Sequence, residues 1–237
     1  MTVHAHLHSR RDFLATTAVG ATALTLPSRR SRAAETAPSN RIRVGAIGVG
    51  NRAKLLLDQL PEGAEIVALS DCNLPRAEEY KAKRAADWPV YQDYRRVLDH
   101  KDVDAVIVGT GEFQRVLPCI EACMAGKDVY AEKPLTLYVQ EGRALVSAVR
   151  KHGRVLQVGS QQRSMAINRL ACEFVRNGGL GKLLEVRAVN YGNAKDSPSP
   201  LPPAEPMPTG FDWNQWLNQA ADRPFNPAWM TWMGWRD

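Results

Sequence analysis

Residues 41–71 read RIRVGAIGVGNRAKLLLDQLPEGAEIVALSD, and no other stretch of the chain restricts its fold as tightly. An apolar run (Ile42, Val44, Ala46, Ile47) leads directly into Gly48-Val49-Gly50-Asn51-Arg52-Ala53. Leucines at helical spacing follow (Leu55, Leu56, Leu57, Leu60), then a second apolar run over residues 66–69 that stops at Asp71. The order is strand, glycine turn, helix, strand, acid. Gly48 permits a sharp turn and Gly50 lets the backbone approach a pyrophosphate. Ala53 stands where a third small residue allows close helix–strand packing. The free amides and positive dipole end of the helix beyond Gly50 favour phosphate. Asp71 lies about 20 residues on, where a carboxylate accepts both hydroxyls of an adenosine ribose. An ordinary βα turn would not require that acid, so the pattern points to dinucleotide binding. The charge of Asp71 favours NAD over NADP, while Arg76 nearby keeps NADP possible.

Beyond Asp71 the pattern continues to alternate. Amphipathic or helical stretches are expected over residues 74–86, 94–98, 113–124 and 139–152. Apolar, β-branched runs at 104–108, 128–131 and 155–158 read as buried parallel strands. Strands alternating with helices specify an α/β, doubly wound Rossmann sheet that closes near Gly159. A helix over 167–176 and a strand over 182–191, with Leu184, Val186 and Ala188 against Glu185 and Arg187, then read as the start of a new, half-exposed sheet. Residues 196–210 hold six prolines, and residues 211–237 are rich in tryptophan.

The first 33 residues read as an address. Ser9-Arg10-Arg11-Asp12-Phe13-Leu14 resembles a twin-arginine export signal, and an uncharged apolar run follows over residues 13–26. That run is too short for a permanent membrane span. Ser31-Arg32-Ala33 offers a small-x-small cleavage site. His4, His6 and His8 precede the signal and are expected to leave with it. A twin-arginine translocase exports folded proteins, so the expected location is periplasmic, with cofactor acquired beforehand and held without exchange. The leader also accounts for the charge. Residues 1–33 carry five Arg and one Asp; removing them from 31 basic and 25 acidic residues leaves 26 and 24, a net of +2. No basic patch argues for nucleic acid or a membrane surface. Cys119 and Cys123, one helical turn apart, read as small core residues, and no histidine near them suggests a metal site. The expected organisation is a signal peptide over 1–33, an NAD(P)-binding Rossmann domain over 34–160 and part of a second domain over 161–237.

Ala125-Gly126-Lys127-Asp128-Val129-Tyr130-Ala131-Glu132-Lys133-Pro134, with Val158-Gly159-Ser160-Gln161-Gln162-Arg163-Ser164, resembles the Gfo/Idh/MocA family of glucose–fructose oxidoreductase and inositol dehydrogenase relatives. The resemblance covers residues 41–237. It implies a Rossmann domain followed by an α+β open-sheet substrate domain, present in part over 161–237, that carries a sugar site and often a dimer interface, so a homo-oligomer of the full-length form is expected. It also implies roles for single residues. Gly48, Gly50, Asn51 and Arg52 would hold the pyrophosphate and Asp71 the adenosine ribose. Thr110 and Gly111 would line the nicotinamide ribose, Glu132 would contact the nicotinamide half and Gln161 would border the ring. Lys133 would face the substrate as the catalytic residue, with a cis Lys133–Pro134 peptide.

Two departures stand out. Gly111-Glu112-Phe113-Gln114 lacks the histidine that many relatives carry there. The family's Asp/His acid–base pair on a second-domain helix has no counterpart, because beyond the leader the only histidines are His100 and His152, near Rossmann helix ends. An N-terminal fragment or truncated product is therefore expected. The implied chemistry is NAD(P)-dependent oxidation of a sugar or polyol hydroxyl by hydride transfer. Lys133 would orient the hydroxyl and stabilise developing oxyanion charge. Two alternatives stay open: an NAD-dependent glycosidase using transient oxidation, and a non-catalytic cofactor-binding remnant. Trp213, Trp216, Trp229, Trp232 and Trp235 would either stack on sugar rings or form a packed lid.

Overall fold

Five of the apolar runs, joined by one two-residue strand that the pattern did not mark, align as a single parallel sheet. The computed structural model describes residues 41–189 and 202–230. Its strands are β1 (Ile42–Ile47), β2 (Ala64–Ser70), β3 (Val90–Tyr91), β4 (Ala105–Val108), β5 (Asp128–Ala131) and β6 (Leu156–Val158). They lie in the order β3-β2-β1-β4-β5-β6, parallel at every pairing. The strand order reverses between β1 and β4, and at such a switch point the carboxyl ends of the strands open a crevice.

Helices cover both faces. On one, α1 (Asn51–Asp58) and α2 (Leu74–Lys83) bury Leu57, Ala77 and Tyr80 against Val44, Leu69 and Ile107. On the other, α3 (Arg95–Leu98), α4 (Glu112–Met124) and α5 (Val139–His152) bury Val97, Val116, Cys119 and Leu145 against Ile47, Val106 and Val129. Cys119 and Cys123 are fully buried, as small core residues should be. Leu74 and Pro75 open α2 behind the Asn73 cap, and the helix stops at Lys83, short of the expected 86, where Ala85 turns to φ +47°. Gly153 ends α5 with φ +60°, a left-handed cap that glycine adopts without Cβ strain.

After β6 come a 3-10 turn (Gln161–Ser164), α6 (Ala166–Arg176), α7 (Trp213–Leu217) and a second 3-10 turn (Pro227–Met230). The strand expected over 182–191 is not formed in residues 182–189, where Leu184 and Val186 stand 86% and 81% exposed. Alternation yields a strand only when a neighbour takes up the amide hydrogen bonds, and among the described residues nothing pairs with this segment. The leader, residues 34–40, residues 190–201 and residues 231–237, with Trp232 and Trp235, lie outside the described residues.

Candidate functional site

The crevice at the switch point is a cleft of about 550 Å³, and all ten residues singled out from the sequence line it. Its floor is the turn after β1. Gly48 has φ +80°, and a Cβ there would come within 3.2 Å of the Thr110 amide nitrogen. Gly109 is equally constrained, because a Cβ on it would fall 2.6 Å from the Ala53 Cβ. The small residue expected for helix–strand packing thus meets a second glycine across the switch point, a partner the local pattern does not show.

Gly50 is constrained by no protein atom: a Cβ there would meet nothing within 4 Å. It caps α1 with no side-chain hydrogen bond, which leaves the first-turn amides available. An open approach to uncapped amides fits a pyrophosphate. Asn51 is exposed at the start of this helix and Arg52 is half-buried behind it.

Asp71 has a second task besides the one expected of it. It is 4% exposed, and its Oδ2 accepts a hydrogen bond from the Val49 amide at 2.8 Å. Its Oδ1 accepts from the Asn73 amide at 2.9 Å. The acid at the end of β2 therefore holds the glycine turn in shape as well as facing the cleft. Arg76 Nη1 lies 3.6 Å from Asp71 Oδ2, so part of the carboxylate's charge is already answered. Beside it, burial and the charge of Asp71 push the Cys72 thiol well up.

The opposite wall comes from the ends of β4, β5 and β6. Thr110 and Gly111 follow β4, and the Gly111 amide donates to Gln114 Oε1 at 3.0 Å. Glu132 is 3% exposed, accepts from Arg52 Nε at 2.7 Å, and holds its own neighbour through the Lys133 amide at 2.9 Å. The Lys133–Pro134 peptide is cis, as the motif implied. Lys133 itself is exposed, and Gln161 sits half-buried in the 3-10 turn.

The sequence reading missed Arg115. It is buried in α4, where its guanidinium donates to the carbonyls of Thr110 and Pro134 and so ties the β4 and β5 ends together. Burial pushes it below its ordinary value, opposed by Glu112. Its Nε has no hydrogen-bond partner among the described residues. An arginine in the first turns of a helix next to a strand end carries no motif, so only the fold reveals the tie. His100 and His152 do not line the cleft. Among the described residues there is no cluster suited to a metal ion, and no helix is long and apolar enough to cross a membrane.

A parallel sheet in this order, with a glycine turn, an uncapped helix and a β2 acid at its switch point, defines an NAD-binding Rossmann fold. Residues 42–160 match the Gfo/Idh/MocA family, an oxidoreductase family with an NAD-binding Rossmann fold, and the chain belongs to it. It is 34% identical over 122 residues to inositol 2-dehydrogenase of Klebsiella pneumoniae, covering 50% of this chain and 36% of that protein. Myo-inositol 2-dehydrogenase of Lactobacillus plantarum superposes with a TM-score of 0.57 at 25% identity, over 61% of this chain and 43% of that one. KijD10, a 3-ketoreductase from Actinomadura kijaniata in complex with TDP-benzene and NADP, gives 0.53 at 29% identity, over 59% and 44%. The chain spans less than half the length of the curated relatives it matches.

Proposed function

We propose that the chain is the cofactor-holding part of an NAD(P)-dependent oxidoreductase acting on a hydroxyl of a sugar or polyol. The observation that carries this reading is the convergence of Glu132, Lys133 and Gln161 with the glycine turn and Asp71 on one cleft. The dinucleotide, when bound, supplies hydride acceptance at its nicotinamide ring. The chain's own residues do the rest. The turn at Gly48–Gly50 and the α1 amides take the phosphates. Asp71 accepts the ribose hydroxyls with the lone pairs not engaged by Val49 and Asn73, and this favours NAD over NADP. Arg115 and Glu132 fix the β4 and β5 ends. Lys133, exposed at the mouth, orients the substrate hydroxyl and stabilises the negative charge that grows on its oxygen as the proton leaves. Inositol, the substrate named for the relatives, is the first polyol to try.

The test begins with titration of NADH and NADPH, followed by single-turnover reduction of bound NAD with a panel of inositols and sugars. We expect tighter NADH binding and little hydride transfer by this chain alone. A form extended by any downstream reading frame should transfer hydride faster by the 10²–10⁴-fold typical of a general acid–base. No binding of either dinucleotide would overturn the proposal, and equal turnover by the two forms would make Lys133 sufficient.

Export belongs to the same proposal. The paired Arg10 and Arg11 with the apolar run behind them support a twin-arginine route to the periplasm. Changing both to Lys should leave the protein in the cytoplasm. An unchanged periplasmic yield would show the leader to be something else.

A further inference from the structure

The sheet offers the cleft a floor and two side walls. Its outer wall comes from elsewhere. Gln215, Trp216, Asn218 and Met230 line the same cleft as Gly48 and Asp71. They belong to a strap, residues 202–230, that crosses the carboxyl edge of the sheet and is fastened at two places.

The first fastening is at the end of β2. The Leu74 amide donates to Gly210 O at 2.9 Å and the Asp212 amide to Cys72 O at 2.8 Å. Asn73 and Phe211 form an antiparallel bridge. The Gln92 side chain donates to both Cys72 O (3.1 Å) and Gly210 O (3.0 Å). The second fastening is at the start of α4. Pro118 sits inside that helix and has no N–H to give to the carbonyl four residues back, at Gln114. Asn218 Nδ2 supplies the missing donor at 3.0 Å, and the Gln114 amide group donates in turn to Trp216 O. Asn218 meets this geometry with φ +51°.

Between the fastenings α7 spans from the end of β2, which carries the ribose acid, to the end of β4, which carries Thr110 and Gly111. The β2 end, with its acid, is the adenosine side of a Rossmann crevice. Trp216 lines the cleft together with Asp71, Cys72 and Arg76 of that side. Its ring stacks on Trp213 at 4.4 Å and 9°, and Phe113 meets it edge-on at 5.1 Å and 62°. Phe211, Trp213, Leu217, Phe225 and Trp229 form a buried cluster behind it. The ring is thus packed against Trp213 and Phe113, half-buried, and borders the cleft.

We propose that the strap is the outer wall of the adenosine compartment and that Trp216, backed by Trp213 and Phe113, is the surface on which the adenine of a bound dinucleotide stacks. The inference rests on the dinucleotide reading given above. Held at its phosphates from below and at its base from above, the nucleotide leaves only when the strap unfastens. Preorganisation of the ring keeps the ordering cost of binding low.

The test uses the full chain and three probes: NADH, AMP and the reduced nicotinamide mononucleotide, which lacks the adenosine. Stacking on an aromatic ring is removed by Trp216→Ala, so NADH and AMP should bind about 5- to 100-fold more weakly. NADH should also dissociate faster, and the mononucleotide should bind as before. Trp216→Phe should restore most of the loss. Asn218→Gly keeps the positive φ, removes the Gln114 fastening and should speed NADH release without touching the ring. It carries the test if Trp216→Ala fails to fold. AMP affinity and NADH release within twofold of the unsubstituted chain in Trp216→Ala, or in Asn218→Gly an unchanged release rate, would overturn the proposal. So would an equal loss for the mononucleotide, which would mark general damage. If the unsubstituted chain binds NADH and only the variants' losses fail to appear, the strap inference falls alone. If it binds no dinucleotide at all, the function proposed above falls with it.

Discussion

Residues 161–189 and residues 202–230 both follow the last strand of the sheet, and both are well supplied with apolar side chains. Their fates differ. In the first, α6 buries nothing, with Ile167, Leu170 and Phe174 all more than half exposed. In the second, Phe211, Trp213, Phe225 and Trp229 are each less than a tenth exposed. The second has a surface to meet. The end of β2 offers free backbone groups at Cys72 and Leu74, and Pro118 leaves a carbonyl unpaired on α4. The first meets no such edge among the described residues. Apolar content marks a segment that must be buried; docking also needs polar groups with nowhere else to go.

The contrast is broken most directly by a paired truncation. Trp213→Ala removes a buried indole from the strap cluster and should cost about 3–5 kcal/mol. Leu170→Ser on the exposed face of α6 should stay within about 0.5 kcal/mol. Urea unfolding of both variants checks this, and a comparable loss in the two would mean that α6 is packed in solution.

Next in size is Asp71→Asn. The carboxylate accepts amide hydrogen bonds from Val49 and Asn73 and is the expected ribose acceptor, so its loss acts on turn and ligand together. Hydrogen bonds to a charged group contribute about 1.5–3 kcal/mol, so NADH should bind roughly ten- to a hundredfold more weakly. The preference over NADPH should narrow, since Arg76 would then stand without its acid. Parallel titrations decide it, and an unchanged ratio would remove Asp71 from cofactor choice.

Gly109→Ala sharpens the account of the cleft floor. The added methyl would fall 2.6 Å from the Ala53 Cβ, which forces α1 away from β4. Overpacking of this kind costs about 1–3 kcal/mol. A thermal melt that does not move would show that the floor can relax.

The remaining predictions concern the thiols. Cys172, exposed on α6, should react with an alkylating reagent at pH 8, whereas Cys72, Cys119 and Cys123 should not until the chain unfolds. Cys119 adds a pH dependence. Burial pushes it from 9.0 up to about 12, so above pH 9 the unfolded chain loses a proton that the folded chain keeps. Stability should therefore be full below pH 9 and fall between pH 9 and 12. In Cys119→Ala that part of the decline should vanish from melts taken across this range.

The sheet was readable because its signals are local. A β-branched run, a glycine turn and a helix at 3.6-residue spacing each declare themselves within a few residues, and their alternation fixes a parallel, doubly wound order. β3 escaped notice because two residues, Val90 and Tyr91, are too few to show a period. The strand expected over 182–191 failed for the opposite reason: the period is present but described residues 182–189 have no partner beside them. The site divides in the same way. Gly48, Gly50 and Asp71 were legible from their spacing, and Lys133 and Gln161 from the motifs around them. The tie from Arg115 to Pro134 and the contact of Gly109 with Ala53 were not, and Trp216, marked only as one of a tryptophan cluster, gained its place beside Gln114 from the fold, since each of these pairs is close only in space.

The sequence by itself determined the α/β class, the crevice at the β1 and β4 ends and the residue types along its floor, because these follow from periodicity and from glycine's freedom at the turn after β1. Only the tertiary structure decided what closes that crevice. A proline inside α4 left one carbonyl without a donor, the end of β2 left backbone groups unpaired, and the aromatic strap carries the groups that satisfy both. The physical reason is that a hydrogen-bonding group deprived of its local partner must find a distant one, and no local reading of a chain can say which distant segment that will be.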